Sequence, residues 1–432
     1  MPKRSVIVVG GGWAGLAAAV QCCELGLAVT LLETAPQLGG RARSLADGGL
    51  DNGQHILIGA YQETLRLMQR VGVSEAQAFL RQPLVLHYSD GPRLQLPAGW
   101  SPSLALLAGL LWAQHWPWRT RISLLRTALS WRLRGFQCPS DWTVQQLCQG
   151  MDSLAWSEFV APLCVAALNT PADRASAQVF LRVLRDALLT VRGGSDLLLP
   201  KVSLADLLPN PATRWLQVQG AQLHTRTRVL ALSRHAADKA WVAETSQGPF
   251  EADGLILACS SSEAAALLHT LCPQWGEECA ALSFEPIVTV YLERPGAQLP
   301  APMLALHEGP DAPAQFLFDL GQIGHKPGLF SAVVSGASGW MEDGLNHCAQ
   351  AVVLQLHRQL GWPLDVRVVQ SICEKRATFA CTPQLQRPSG QPGPKGLAVA
   401  GDYIQGPYPA TLEGAVRSGL SAARHLHAEL ST

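Results

Sequence analysis

The chain has 432 residues, enough for about two or three domains, and its 33 basic side chains balance 33 acidic ones, which gives no electrostatic reason to expect a nucleic-acid partner. Eleven cysteines without a C-x-x-C pair read as reduced, mostly core thiols of a cytoplasmic protein, and no metal site is expected. Hydrophobic residues make up 48% and charged ones 15%, which suits a large core plus an apolar cavity or contact face, but no run reaches the roughly 18 apolar residues of a membrane span. Lys3-Arg4 leads straight into an apolar run, Val6 to Val9, with no small-residue cleavage site, so no secretory signal is expected. That run is long enough for one buried strand. Gly10, Gly12 and Gly15 follow in G-x-G-x-x-G spacing. Gly10 permits the tight turn, Gly12 lets backbone approach a pyrophosphate, and Gly15 lets the next helix pack on the strand. The helix, about Ala14 to Leu25, aims its free N–H groups at the phosphates. A second strand, Ala28 to Leu32, ends at Glu33, placed to accept hydrogen bonds from both ribose hydroxyls. Strand, glycines, helix and acid together meet the context a dinucleotide-binding fingerprint requires.

Leu38-Gly39-Gly40-Arg41-Ala42-Arg43 then resembles the G-G-R segment of the FAD-dependent amine oxidase superfamily. The resemblance implies that Gly40 and Arg41 bind the flavin-side phosphate and ribityl chain, and it favours FAD over NAD. Next comes Leu50-Asp51-Asn52-Gly53-Gln54-His55, followed by an apolar stretch ending Gly59-Ala60-Tyr61. From the residues alone, Gly53 allows close backbone approach and Gln54 and His55 are polar groups ahead of an apolar strand; a turn histidine with one hydrogen bond accounts for His55 equally well. The motif resembles hydroxysqualene dehydroxylases, the squalene-associated branch of the same superfamily, and so places Gly53 and Gln54 at the cofactor.

Residues 81–210 are rich in Leu, Pro and Trp and mostly helical in pattern. Six of the thirteen tryptophans lie between Trp100 and Trp142, and Ser101 to Ser140 contains Arg119, Arg121, Arg126, Arg132 and Arg134 with no Asp, Glu or Lys. Basic, Trp-rich segments of this kind lie in a membrane interface; an ordinary helix pair with its apolar face in the core is the other reading. Ala166 to Ser176 also resembles the dehydroxylases. Physically it is a loop broken by Pro171, where Asn169 either caps a helix or faces substrate. Val191 to Ser195 is a glycine hinge returning the chain toward the nucleotide domain.

Leu223 to Val229 alternates as a strand, and Val229 matches the superfamily position whose backbone contacts adenine. Ala252 to Ala258 reads as a buried strand. Val288 to Leu292, Phe316 to Asp319 and Phe330 to Ser335 read as strands flooring a substrate cavity. The last motif begins with a buried strand ending at Gly401-Asp402 and continues into a helix opening near Ala410. By the resemblance, Asp402 bonds ribityl or phosphate oxygens, while the N-terminus of the last helix, with Gly414 and Ala415, points at the flavin carbonyl and stabilises a reduced, anionic flavin.

The expected fold is α/β: a Rossmann-like FAD-binding domain (1–80, 211–264 and 391–432) interleaved with an α+β substrate domain (81–210 and 265–390), with 100–136 a candidate membrane-interface segment. The resemblance implies reductive removal of the hydroxyl of hydroxysqualene to give squalene, at the inner face of the cell membrane, with upstream squalene-pathway synthases as neighbours. On that reading His55 is the candidate acid, Asp51 tunes its proton affinity, and Tyr403 and Tyr408 either supply aromatic faces to a developing cation or simply pack beside the flavin. Other superfamily members, such as carotenoid desaturases, amine oxidases and porphyrinogen oxidases, oxidise their substrates, and a flavin-free isoprenoid carrier of the same architecture is the reading from another class.

Overall fold

The computed structural model describes residues 3–45, 49–235 and 240–431. The chain begins with β1 (Ser5–Val9), α1 (Trp13–Glu24) and β2 (Ala28–Leu32), at the positions the sequence predicts. After β3 (Leu57–Ile58), α2 (Gln62–Arg70) and β4 (Phe79–Gln82) comes a hairpin of β5 (Val85–Tyr88) and β6 (Gly91–Gln95). The Trp-rich region forms α3 (Pro102–Trp112) and α4 (Trp118–Leu133), followed by α5 (Ala161–Leu168), α6 (Ala177–Arg185) and β7 (Leu197–Pro200). Then come β8 (Gln222–His224), β9 (Val229–Arg234), β10 (Trp241–Thr245), β11 (Gly248–Ala252) and β12 (Gly254–Leu257). A long return follows: β13 (Phe284–Glu293), β14 (Met303–Ala305), β15 (Phe316–Asp319), β16 (Leu329–Val334), α7 (Leu345–Leu360) and β17 (Arg367–Phe379). The chain finishes with β18 (Leu397–Val399) and α8 (Leu412–Leu430).

Three remote pieces of chain build one parallel sheet in the order β18-β12-β1-β2-β8. Its strands are short and apolar because both faces are covered: Val6, Val8, Ile256 and Ala398 pack in one core with α1 and α8, while Ile7, Leu255 and Leu257 share the other with Trp241 and Ala243 of β10. α1 and α8 pack closely enough that a Cβ on Gly419 would lie 2.1 Å from the Ala14 carbonyl oxygen.

The expected continuous strand from Leu223 to Val229 is instead two. The chain leaves β8, bends at Arg226 with a φ of 55°, and starts β9 in a separate three-stranded sheet. The bend is needed because this segment wraps the end of β2, where Arg226 N bonds Ala35 O and Thr227 N bonds Glu33 O at 2.8 Å.

The second large sheet is antiparallel, in the order β14-β15-β16-β13-β17. The period-two alternation of β13 sorts its two faces. Val288, Val290 and Leu292 pack against Val352 and Leu356 of α7, whereas Ile287 and Tyr291 face Leu50 and Ile56. The second face therefore floors the segment that carries the D-N-G-Q-H residues. Among the described residues no helix is long and apolar enough to cross a membrane.

Candidate functional site: a dinucleotide cradle and the loop beside it

Two glycines of the cradle, Gly10 and Gly15, tolerate no side chain. A Cβ on Gly15 would lie 1.9 Å from the Gly10 carbonyl oxygen, and one on Gly10 would lie 2.6 Å from Ala258 O. Gly12 is the N-cap of α1, no side chain caps this helix, and its first turn holds no acid. The amides there are left for an anion, as the fingerprint requires. The Glu33 carboxylate accepts from Gly11 N and Ala35 N, each at 2.7 Å. These bonds fix it at the end of β2 and leave each oxygen a lone pair for a ribose hydroxyl. The G-G-R turn lies directly on the first glycine turn: Gly39 N bonds Gly11 O at 2.8 Å, and a Cβ on Gly40, which has a φ of 63°, would lie 3.1 Å from the Gly12 Cα. Val229 opens β9 just beyond the bend around Glu33, 7% exposed. A glycine-lined, uncapped helix N-terminus beside a fixed carboxylate fits the ADP half of FAD.

The first and last motifs meet through Arg41. Its Nη1 donates to the carbonyls of Arg376 (3.0 Å) and Ala377 (2.7 Å), and its Nη2 pairs with Asp402. Gly401 is held by a bond from its N to Ser418 Oγ at 2.9 Å. Thr411 caps α8 by accepting from Gly414 N at 3.0 Å, and Ala415 N bonds Thr411 O. A cavity of about 270 Å³ is bordered by Asp402, Gly406, Tyr408, Gly414 and Arg417, so the end of the last strand and the start of the last helix share one space.

The D-N-G-Q-H segment is pinned at almost every residue. The Asp51 carboxylate accepts from Ser44 Oγ at 2.7 Å and Leu204 N at 3.1 Å, and its carbonyl accepts from Tyr291 Oη at 3.0 Å. Asn52 Nδ2 donates to Arg41 O and to Glu374 Oε2, both at 3.0 Å. Gln54 Oε1 accepts from Ser331 Oγ on the second sheet at 3.1 Å. Gly53 stands beside Thr289 Oγ1. His55 Nδ1 lies 3.2 Å from Gly53 O. In the tautomer with the proton on Nδ1, Nε2 is the free acceptor. Burial holds the His55 imidazole below its ordinary value, against the raising effects of the Gly53 carbonyl and Asp51. Burial also raises Asp51, against its bonds to Ser44 and Leu204. The two residues interact through their charges, while the hydrogen bonds of Asp51 go to Ser44 and Leu204.

Tyr408 departs from the expected role. Its hydroxyl donates to Asp186 Oδ2 at 2.9 Å, and the guanidinium carbons of Arg182 and Arg417 lie over its ring at 5.3 and 5.4 Å. Two cations already occupy the ring's quadrupole, so it offers no aromatic face to a third. Tyr403 is 4% exposed, donates to Cys259 O at 3.3 Å and packs under Gly401. Asn169 is no side-chain helix cap: Ser176 caps the helix that follows, and Asn169 is the left-handed C-cap of the one before. It ends α5 with a φ of 49°, and its side chain bonds Glu285 O, Thr378 Oγ1 and Gly336 N.

Residues 13–427 match the flavin containing amine oxidoreductase family. The chain belongs to that family. It is an FAD-dependent oxidoreductase with the amine-oxidase-type FAD-binding fold. It is 27% identical to the hydroxysqualene dehydroxylase of Sinorhizobium fredii over 100% of both chains. It is 28% identical to that of Rhodopseudomonas palustris over 98% of each. Among solved structures, cyclohexylamine oxidase from Brevibacterium oxydans superposes with a TM-score of 0.72 over 100% of both chains at 16% identity.

Several residues that brace this flavoenzyme's site escape a sequence reading. Glu374 lies on β17 and reaches Asn52 across 322 positions. Asp186 opens a π-helical turn, Asp186–Thr190, and is bonded by Arg182 and Tyr408. Glu413, 2% exposed, turns away from the cradle and caps α2 through Glu63 N and Thr64 N while pairing with Arg417.

Proposed function

We propose that this flavoenzyme reductively dehydroxylates hydroxysqualene to squalene. The observation that carries the reading is full-length similarity to two proteins of that name, in a chain with the D-N-G-Q-H segment set against the cradle. The carbon–oxygen bond breaks as the hydroxyl takes a proton and leaves as water, and a hydride closes the resulting allylic cation. Reduced FAD, when bound, supplies that hydride. The chain's own tasks are to protonate the hydroxyl, hold the greasy chain and exclude water. His55 Nε2 is the proton donor in this proposal, with its ring fixed by Gly53 O and its proton affinity supported by the charge of Asp51. Residues 1–80, 211–264 and 391–432 form the FAD domain in this scheme, and the remainder forms the substrate domain.

A triterpenoid of about thirty carbons prefers lipid to water by something on the order of 20 kcal/mol at roughly 0.8 kcal/mol per CH₂. The substrate therefore arrives from a membrane or from a synthase bound there, and the enzyme works at the membrane surface. The test is anaerobic. Reduced holoprotein is given hydroxysqualene, and the flavin absorption band should return with one squalene per flavin. A band that stays bleached, with no squalene, overturns the proposal.

A further inference from the structure

We propose that α3 and α4 form a rigid docking element that lies in the surface of a bilayer carrying anionic headgroups. This rests on the reading that the substrate comes from lipid. Nine of the sixteen large hydrophobic side chains exposed among the described residues fall between Trp100 and Leu133. The concentration is too high for scattered surface residues. α3 is apolar on every side. Ala105, Ala108 and Leu110 are buried, while Leu104, Leu107 and Trp112 are 55%, 43% and 63% exposed. On α4, Trp118 and Leu133 are 63% and 79% exposed among arginines.

The exposure is built into a packed structure. Trp116, 2% exposed, plugs the turn between the helices and donates through Nε1 to Glu158 Oε2 at 2.8 Å. Arg121 ties the two helices by donating to Leu111 O (2.7 Å) and Trp116 O (2.9 Å), with its guanidinium 4.7 Å over the Trp118 ring. A Cβ on Gly109 would lie 3.0 Å from Gln95 O, so α3 sits hard on β6. α3 also packs on the π-helical turn whose Asp186 holds Tyr408, which puts the hairpin on the side of the molecule that reaches the loop after Asp402.

The charge selects the occupant. Between Ser101 and Ser140 there are five arginines and no acid. Asp152 pairs with Arg119 at 3.5 Å, but the face keeps a net positive charge, which a two-fold contact with a second copy would set against itself. Anionic headgroups match it, and exposed tryptophan suits the headgroup level.

The test is co-sedimentation of the FAD-loaded full chain with vesicles of phosphatidylcholine, with and without phosphatidylglycerol. Binding should be about tenfold stronger with the anionic lipid, and should fall with added salt. Leu107→Glu with Trp112→Glu should lower it by about tenfold or more, while Leu354→Glu, at a 43% exposed position on α7, leaves it unchanged. Wild-type tryptophan emission should be partly quenched by bromine-labelled acyl chains, a readout that does not depend on any variant folding. No sedimentation, equal binding to neutral lipid, unquenched emission, or a dimer dissolved by the double substitution would each overturn the proposal. Turnover of detergent-solubilised hydroxysqualene is measured in parallel. If turnover survives while docking fails, the docking inference falls and the proposed reaction stands.

Discussion

The Arg41 guanidinium and the Asp402 carboxylate, 361 residues apart in sequence, form an ion pair that joins the second turn of the cradle to the last strand. Arg41 remains 41% exposed, so solvent screening limits the pair's own contribution to folding to about 1 kcal/mol or less. Its value lies in alignment. Asp402→Ala should leave the apoprotein's melting temperature nearly unchanged and cut the flavin-to-protein ratio of purified enzyme by more than half, measured by absorbance. A full flavin complement would show that the pair does not position the cofactor site.

Gly15→Ala should be far more damaging. The added methyl meets a backbone oxygen at 1.9 Å, which no rotamer can relieve, so α1 must move off β1. The expected loss is about 3 kcal/mol. Denaturant midpoints and flavin content should fall together.

His55 gives a pH-dependent prediction. Burial places its proton affinity below the ordinary 6.5. If the protonated ring is the acid, kcat/KM for hydroxysqualene rises as pH falls through a value below 6.5 and declines above it. For stability, the unfolded chain binds the proton more readily, so this group removes stability as pH drops and contributes none of the loss at alkaline pH. His55→Ala should keep FAD and lose squalene formation, and a flat wild-type profile would move the acid elsewhere.

Tyr408→Phe should be mild. It keeps the ring beneath Arg182 and Arg417 and removes only the bond to Asp186, about 1 kcal/mol. Turnover should stay within about threefold of wild type; a far larger loss in a folded, flavin-loaded variant would give the hydroxyl a part in the chemistry.

Glu413→Ala should be chiefly a stability change. It strips the cap from α2 and leaves Arg417 without its partner, for a loss of about 3 kcal/mol by chemical denaturation.

The legible parts of the site are those where one local stretch does the whole task. Val6 to Glu33 shows strand, glycines, helix and acid in sequence because each is a nearest-neighbour consequence of the last, and β2 runs over the predicted Ala28–Leu32. Three strands of the second sheet, β13, β15 and β16, are legible for the same reason, whereas the short β14 and the long β17 are not. What stays hidden is set by partners far along the chain. Arg226 bends because β2 ends there, Glu374 matters only through Asn52, and the Tyr408 ring is taken by arginines from two different helices. The sequence shows Tyr408 directly as an aromatic residue within the last motif, but the occupants of its faces come from tertiary packing alone.

Because β18 and α8 close the sheet and α8 sits on α1 at Gly419, the opening motif cannot reach its final surroundings while the chain is still emerging from the ribosome. Its apolar strands must wait, uncovered on one side, through the synthesis of almost everything else. A chaperone that shields the nascent amino-terminal third should therefore raise the yield of flavin-loaded protein, and arrest of translation before residue 397 should leave a product that aggregates.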